Sequence, residues 1–260
     1  MRPLVGFLIL VACAEPLSSP GPTTTETRLA DDTTPEAPSS TANPATLAPP
    51  SSDLPVTADF AATVSTGVTT TPNQSTFAFT VEPVTGADLP TSWRKGCPIG
   101  PAELRRLTLV HWGFDGGTHQ GVLVVHTDYA ESLATVFQEL FAMEFPIERI
   151  EPADAYGGDD DASMAANNTS AFNCRPVSGT STWSQHAFGW AVDLNPIQNP
   201  FLSSSGRVDP PAGAQYLDRS DLRPGMVSNA VVAAFAAIGW GWGGDWSSPI
   251  DYQHFSATGS

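Results

Sequence analysis

A change in composition near residue 90 limits which part of this 260-residue chain can form a folded core. From Glu15 to about Leu89 the chain is rich in Thr, Pro, Ser and Ala, as in GPTTTETRLADDTTPEAPSSTANPATLAPPSSDLP, and large apolar side chains are few. Such a composition cannot bury enough apolar surface to offset the entropy of ordering the chain. We therefore predict a disordered linker over residues 13–90 and one folded domain over residues 91–260.

The first residues combine Arg2 with a short apolar run from Val5 to Val11. A helix that crosses a bilayer needs about 20 apolar residues, so this run is too short to span one. The sequence Leu-Val-Ala-Cys that ends at Cys13 resembles the lipobox of bacterial lipoproteins. This resemblance implies that residues 1–12 are a signal peptide and that Cys13 carries a lipid. We expect an exported membrane lipoprotein that faces the cell wall, with a secreted protein as the alternative.

Apart from Cys13, the chain contains two cysteines, Cys97 and Cys174. Oxidising compartments favour disulfides, so we predict a bond between these two residues, with two unpaired buried thiols as the alternative. The bond would close a loop of roughly 80 residues and contribute about 3–4 kcal/mol through chain entropy. A cysteine-based metal site is not indicated, because no C-x-x-C spacing occurs.

The last 170 or so residues have the pattern of a small α+β domain. LTLVHWGF, GVLVVHTD and IERIEPAD read as strands of a modest, mainly antiparallel sheet. A helix is predicted over DYAESLATVFQELFAMEFP, with Asp128 as its N-cap and Pro146 after its end. Its apolar face comprises Leu133, Val136, Phe137, Leu140 and Phe141. A second helix is predicted from Ser228 to Ile238.

The segment WSQHAFGWAVDLNP places His186 and Asp193 on either side of a tight, mostly apolar turn. Asp193 is expected to project from a strand, with His186 folded back beside it. The C-terminal segment GWGWGGDWSSPIDYQHF supplies a third candidate ligand, His254, and a further carboxylate, Asp251. Two imidazoles and one carboxylate leave an open position on zinc, as in catalytic zinc sites. A turn-capping Asp251 and a core His254 are the alternative.

These two segments resemble a known family. S-Q-H-A-F-G-W-A-V-D is similar to the Ser-x-His-x-x-Gly-x-Ala-x-Asp motif of zinc peptidases that cut peptidoglycan stem peptides. The family includes D-alanyl-D-alanine carboxypeptidases and L-alanyl-D-glutamate endopeptidases. W-G-G-D-W followed by D-Y-Q-H-F resembles its closing motif. The resemblance implies a Hedgehog/D,D-peptidase-like fold, Zn²⁺ on His186, Asp193 and His254, and Asp251 as the general base.

The resemblance also suggests residues that contact the substrate. Ser184 matches the serine of the first motif, which orients the site or binds substrate. Arg175 is the candidate for the family's arginine, since a guanidinium suits carboxylates and a developing oxyanion; a surface ion pair is the alternative. Trp246, with Trp240 and Trp242, is expected either to line a substrate groove or to pack in the core. The acidic residues 159–161 are interpreted as a solvated loop, with a calcium site as the alternative.

The sequence thus predicts a monomeric zinc metallopeptidase that acts on peptidoglycan stem peptides by means of metal-activated water. Whether it is an endopeptidase or a D,D-carboxypeptidase stays open, with the compact motifs favouring the endopeptidase type. A catalytically silent zinc module that binds cell wall or protein is the alternative function. No nucleic-acid partner is expected, because a net charge of −16 leaves little to neutralise phosphates.

Overall fold

The computed structural model describes residues 76–260. The predicted signal peptide at 1–12, the lipid on Cys13 and the linker as far as residue 75 lie outside these residues. Within residues 76–260, no helix has the length and apolar character needed to cross a bilayer.

The described chain combines short strands, three α-helices and several single turns of 3-10 helix. The strands are β1 (Phe79–Pro83), β2 (Leu104–Trp112), β3 (Thr118–His126), β4 (Arg149–Ile150), β5 (Asn168–Thr169), β6 (Ala191–Asp193), β7 (Phe201–Leu202), β8 (Val208–Asp209), β9 (Gly241–Trp242), β10 (Ile250–Asp251) and β11 (His254–Ser256). The helices are α1 (Ala130–Ala142), α2 (Asp160–Ala165) and α3 (Asn229–Ala236). The 3-10 turns are Gly86–Asp88, Pro101–Glu103, Thr127–Tyr129, Ala153–Tyr156, Gln185–Phe188, Pro211–Tyr216 and Gly243–Asp245.

The main core forms where α1 packs on the antiparallel sheet β1-β2-β3. Alternate residues of the long strands face this core, including Leu107 and Leu109 of β2 and Leu123 and Val125 of β3. The apolar stripe of α1 covers them with Leu133, Val136, Phe137 and Leu140, as its periodicity predicts. Phe141, predicted on the same face, is only partly buried and stacks on Trp112.

The predicted α+β class is confirmed, but several details of the prediction are wrong. One modest sheet was expected, whereas the described residues form three three-stranded antiparallel sheets and one parallel two-stranded sheet. The predicted strand IERIEPAD is reduced to the two residues of β4. Tyr129 rather than Asp128 is the N-cap of α1, because Asp128 belongs to a preceding 3-10 turn that is capped by His126.

The boundary between linker and domain also differs from the prediction. Strand β1 lies inside the segment predicted to be disordered, and it pairs with β2 from Phe79↔Leu109 to Pro83↔Arg105. Val84 and Leu89 are buried in a second, smaller core cluster. The prediction of a linker up to residue 90 is therefore wrong for residues 79–90. Strand β1 gives little apolar signal in the sequence because it is an edge strand whose residues are mostly exposed.

A separate three-stranded sheet, in the order β6-β11-β9, carries the C-terminal motif. Its central strand β11 is fully buried, and Phe255 stacks on Phe235 of α3 with ring centroids 3.9 Å apart. Ser228 caps α3 by accepting a hydrogen bond from the Val231 backbone, so this helix begins where the sequence predicts. The sheet thereby fixes β6 and β11 side by side against the core.

A candidate metal centre and active site

His186 lies in the 3-10 turn Gln185–Phe188, and its ring orientation is fixed by hydrogen bonds. The Ser184 hydroxyl accepts a hydrogen bond from the His186 backbone N–H at 3.3 Å and so caps the turn. Gly189 ends the turn with φ of 66°, a conformation that favours glycine. The ring Nδ1 lies 2.6 Å from the carbonyl oxygen of Ala171. Because Nδ1 donates to that carbonyl, Nε2 is left free to accept a proton or a metal ion.

Asp193 and His254 are brought together by strand pairing. They are direct register partners on the antiparallel strands β6 and β11. The three side chains converge: His186 Nε2 lies 3.1 Å from Asp193 Oδ2, and His254 Nδ1 lies 3.1 Å from Asp193 Oδ1. The two ring nitrogens, His186 Nε2 and His254 Nδ1, are 3.3 Å apart. All three residues are buried, so the site is shielded from bulk water.

Burial and mutual attraction shift the protonation equilibria of these groups. Burial alone would lower the pKa of His186, but the negative charge of Asp193 and its hydrogen bond raise that pKa above its ordinary value. Burial alone would raise the pKa of Asp193, yet the adjacent imidazoles hold it below its ordinary value. Metal ligation needs neutral imidazole and ionised carboxylate, so a divalent ion would displace the protons that the imidazoles share here.

The donor set fits a zinc ion. A tetrahedral site with bonds of about 2.0–2.2 Å has edges of roughly 3.3–3.6 Å, close to the ligand spacings given above. In the part of the chain that the structure describes, these three residues form the one group of His, Cys, Asp or Glu side chains whose ligand atoms all lie within 4.8 Å of one another. The hydrogen bond from His186 Nδ1 to Ala171 is of the kind that fixes metal-binding histidines.

Asp251 is placed beside the triad by a close backbone contact. A Cβ atom on Gly243 would lie 2.9 Å from Asp251 Cβ and 3.3 Å from His254 Cβ, so the two side chains leave the backbone next to each other. The Asp251 Oδ1 atom is buried and has no hydrogen-bond partner among the described residues. Burial, and then the nearby charge of Asp193, raise the pKa of Asp251 to about 7. Such a carboxyl group can exchange a proton near neutral pH.

Arg175 lies at the end of the segment 171–175, which is hydrogen-bonded to His186. Residues 171–175 carry the carbonyl that accepts from His186 Nδ1, and the Asn173 N–H donates to the His186 carbonyl at 3.1 Å. The predicted disulfide Cys97–Cys174 is present, and it fixes the residue next to Arg175. The Arg175 carbonyl also accepts a hydrogen bond from the Ser184 N–H at 3.2 Å. The arginine is therefore anchored to the same turn as His186.

Asp160 departs from the interpretation of the acidic loop as solvated, whereas Asp159 and Asp161 are exposed as that interpretation predicts. Asp160 Oδ2 lies 2.7 Å from Arg175 Nη2, and both side chains are half-buried. Burial raises the pKa of Asp160 above its ordinary value; the Arg175 charge opposes that shift and the Asp193 charge adds to it. Asp159 instead caps α2 through a hydrogen bond from Ala162 N–H to its Oδ1 at 3.0 Å.

Of the three tryptophans, Trp246 is the one that lies at the site. Its ring centroid is 5.5 Å from that of His254, and its indole N–H donates to the Gly259 carbonyl at 2.9 Å. It also lines an open cavity of about 350 Å³, together with Ser248, Pro249, Gly259 and Ser260. Trp240 is buried in the core and Trp242 packs against it, so core packing is the alternative that holds for these two residues.

Sequence reasoning missed two residues at the site. Asp160 contacts Arg175, but nothing in the acidic run distinguishes it from its neighbours, since its partner is 15 residues away. Gly243 permits the close approach of Asp251, and the run G-W-G-G-D was the available signal, because a glycine often marks a close backbone contact.

A buried His–Asp–His group beside a carboxylate with one unpartnered oxygen among the described residues could serve metal-dependent hydrolysis. Residues 178–257 match a family model described as D-alanyl-D-alanine carboxypeptidase. This match confirms the resemblance over the segment that holds His186, Asp193, Asp251 and His254. No curated protein and no solved structure matches the chain.

Proposed function

We propose that this protein is a zinc metallopeptidase that hydrolyses peptide bonds in peptidoglycan stem peptides. The observation that carries the proposal is the convergence of three ligand atoms next to a buried, unpartnered carboxylate oxygen of Asp251. A binding module with a structural metal needs no second acid beside its ligands, and an unpaired buried carboxylate destabilises a fold. The family match supports a peptidase, and peptidoglycan is the substrate that the family implies.

His186 Nε2, Asp193 and His254 Nδ1 would hold the zinc ion. When bound, zinc supplies Lewis acidity, which polarises a carbonyl group and acidifies water. Asp251 acts as the general base: it accepts the proton of the attacking water and passes it to the nitrogen of the leaving amine. The Ala171 carbonyl keeps His186 in the tautomer that frees Nε2. The burial of the ligands excludes competing water from the reacting atoms.

Arg175 and Trp246 complete the proposed substrate site. The Nε atom of Arg175 is buried and has no hydrogen-bond partner among the described residues, so it is available to an oxygen atom of the substrate. Trp246 offers an apolar surface beside His254 for a substrate side chain. Ser184 acts as the cap of the His186 turn, and substrate binding by its hydroxyl stays a prediction.

The test is hydrolysis of defined muropeptides by the purified protein, with and without a chelator. We expect cleavage that chelation abolishes and that added zinc restores. Asp251→Asn should retain zinc and lower turnover by about 100- to 10,000-fold, the usual contribution of a general base. Near-wild-type hydrolysis by Asp251→Asn would remove this residue from the mechanism.

Metal content measured on the same samples separates an enzyme from a silent zinc module. His254→Ala should lose the metal, whereas His119→Ala, which removes an exposed histidine paired with Asp115, should keep it. A protein that binds zinc with wild-type stoichiometry and cleaves none of the muropeptides would favour the binding module.

We further propose that the protein is exported and works at the cell wall, either as a lipoprotein anchored through Cys13 or as a secreted protein. The disulfide Cys97–Cys174 supports this proposal, since such bonds persist in oxidising compartments. Metabolic labelling with a lipid precursor, compared between the wild type and Cys13→Ser, tests the anchor: label in the wild type alone is expected. Equal labelling of both, or none in either, would refute it.

A further inference from the structure

The ion pair between Arg175 and Asp160 changes the charge that the site offers to a substrate. Arg175 Nη2 and Asp160 Oδ2 are 2.7 Å apart, a distance typical of a charge-assisted hydrogen bond. Both side chains are only 26% exposed, so solvent screens the pair weakly. Arg175 therefore keeps a buried Nε–H donor that has no partner among the described residues, while its positive charge is already balanced by Asp160.

Asp160 is held in place by the same segment that positions His186. The Asn173 side-chain amide donates to the Gly158 carbonyl at 3.1 Å, just before the acidic loop. The backbone N–H of Asn173 donates to the His186 carbonyl at 3.1 Å. The cap that Asp159 supplies to α2 fixes the backbone at Asp160. Hydrogen bonds of the surrounding backbone thus hold the Arg175–Asp160 ion pair in place.

A balanced guanidinium discriminates between two kinds of substrate. A carboxypeptidase must attract the free carboxylate of the residue that follows the scissile bond, and it needs an uncompensated positive charge for that purpose. Here a carboxylate at Arg175 would lie next to that of Asp160, and like charges repel at this range. An amide carbonyl at the same position meets a donor without that repulsion.

We propose that Asp160 is a specificity-determining residue that directs this site to substrates in which the carboxyl group after the scissile bond is in amide linkage. The enzyme then acts within peptides, as an endopeptidase, or on amidated stem peptides. This inference rests on the proposed peptidase function and names its substrate class. Asp160 acts through Arg175 and makes no contact with the reacting atoms.

The experiment compares matched peptide pairs: acetyl-D-Ala-D-Ala with its C-terminal amide, and L-Ala-D-Glu with L-Ala-D-isoglutamine. The wild type should show kcat/KM at least about tenfold higher for the amidated member of the pair that it cleaves, a difference equivalent to ~1.4 kcal/mol. Asp160→Asn should reduce or reverse that ratio, chiefly through a lower KM for the free acid. Asp161→Asn, which removes a neighbouring exposed charge, should leave the ratio unchanged.

Binding of the same peptides to zinc-loaded Asp251→Asn, measured by calorimetry, keeps the two proposals separate. A preference for the amidated peptide that Asp160→Asn abolishes supports the specificity role, even if the wild type cleaves neither pair and the peptidase proposal fails. A wild-type preference for the free acid, or a ratio that Asp160→Asn leaves unchanged in both kinetics and binding, would overturn the role of Asp160.

Discussion

The carboxyl group of Asp251 provides a test of the site that needs no substrate. Its Oδ1 atom is buried without a hydrogen-bond partner among residues 76–260, and burial, with the nearby charge of Asp193, raises its pKa to about 7 from an ordinary 3.8. Replacement by Asn supplies a neutral side chain of the same shape, which imitates the protonated acid at every pH. The variant therefore removes the titration of the carboxyl group at position 251 and keeps the packing of the side chain.

The magnitude follows from linkage between protonation and folding. Because the pKa of Asp251 in the folded state lies above the unfolded value, the stability that the protonated acid contributes is present at low pH and is lost as the pH rises through about 7. Between pH 5 and pH 8 this loss amounts to about 2–3 kcal/mol in the wild type. Asp251→Asn does not share this loss. The free energy of unfolding of the variant, relative to that of the wild type, should therefore rise by the same amount between pH 5 and pH 8.

The assay is thermal or denaturant unfolding of chelated wild type and Asp251→Asn at pH 5 and at pH 8. The two proteins should differ least at pH 5, and the variant should be the more stable at pH 8, by about 5–10 °C in midpoint for a domain of this size. Asp245→Asn, at an exposed position on the adjacent 3-10 turn, is the matched control and should show no pH-dependent difference. An equal difference between Asp251→Asn and the wild type at both pH values would show that Asp251 is solvated, and its assignment as the base would fail.

Two further predictions concern the framework of the site. Cys174→Ser removes the link to Cys97 and should lower the free energy of unfolding by about 3–4 kcal/mol under oxidising conditions. Denaturant unfolding of Cys97→Ser should give the same loss. Different losses for the two variants would argue against a shared bond. Gly243→Ala places a Cβ atom 2.6 Å from the backbone oxygen of Asp251 and should lower kcat by about a hundredfold through misplacement of the base. Gly100→Ala is the control, since its Cβ would meet only a side-chain atom at 3.9 Å, and equal kcat values for the two variants would refute the argument.

The parts of the fold that the sequence predicts are those set by local periodicity. Helix α1 and strands β2 and β3 have apolar faces that match the helical and extended repeats, and the structure buries those faces. Strand β1 is missed because an edge strand with mostly exposed residues carries little apolar signal. Strand β4 is overestimated because only two residues of IERIEPAD, Arg149 and Ile150, find a partner, in β5.

The residues of the site also differ in whether a local sequence pattern predicts them. His186, Asp193 and His254 are found from the sequence because each sits in a short motif, even though 68 positions separate the first from the last. Asp160 is not found, since its contact with Arg175 depends on how α2 packs, and the charges around it favour an ordinary solvated loop. Long-range ion pairs of this kind leave no local pattern in one sequence.

The segment from Ala171 to Arg175 limits how this protein can be altered. It contacts His186 through two hydrogen bonds, holds Cys174 of the disulfide and ends at the arginine. Mutations here would disturb metal affinity, folding and substrate recognition at once, so selection or engineering has little freedom in these five positions. Helix α2 contacts the arginine through Asp160 and bears none of the three candidate metal ligands. Substitutions in this helix could therefore change substrate preference while the proposed metal centre stays intact.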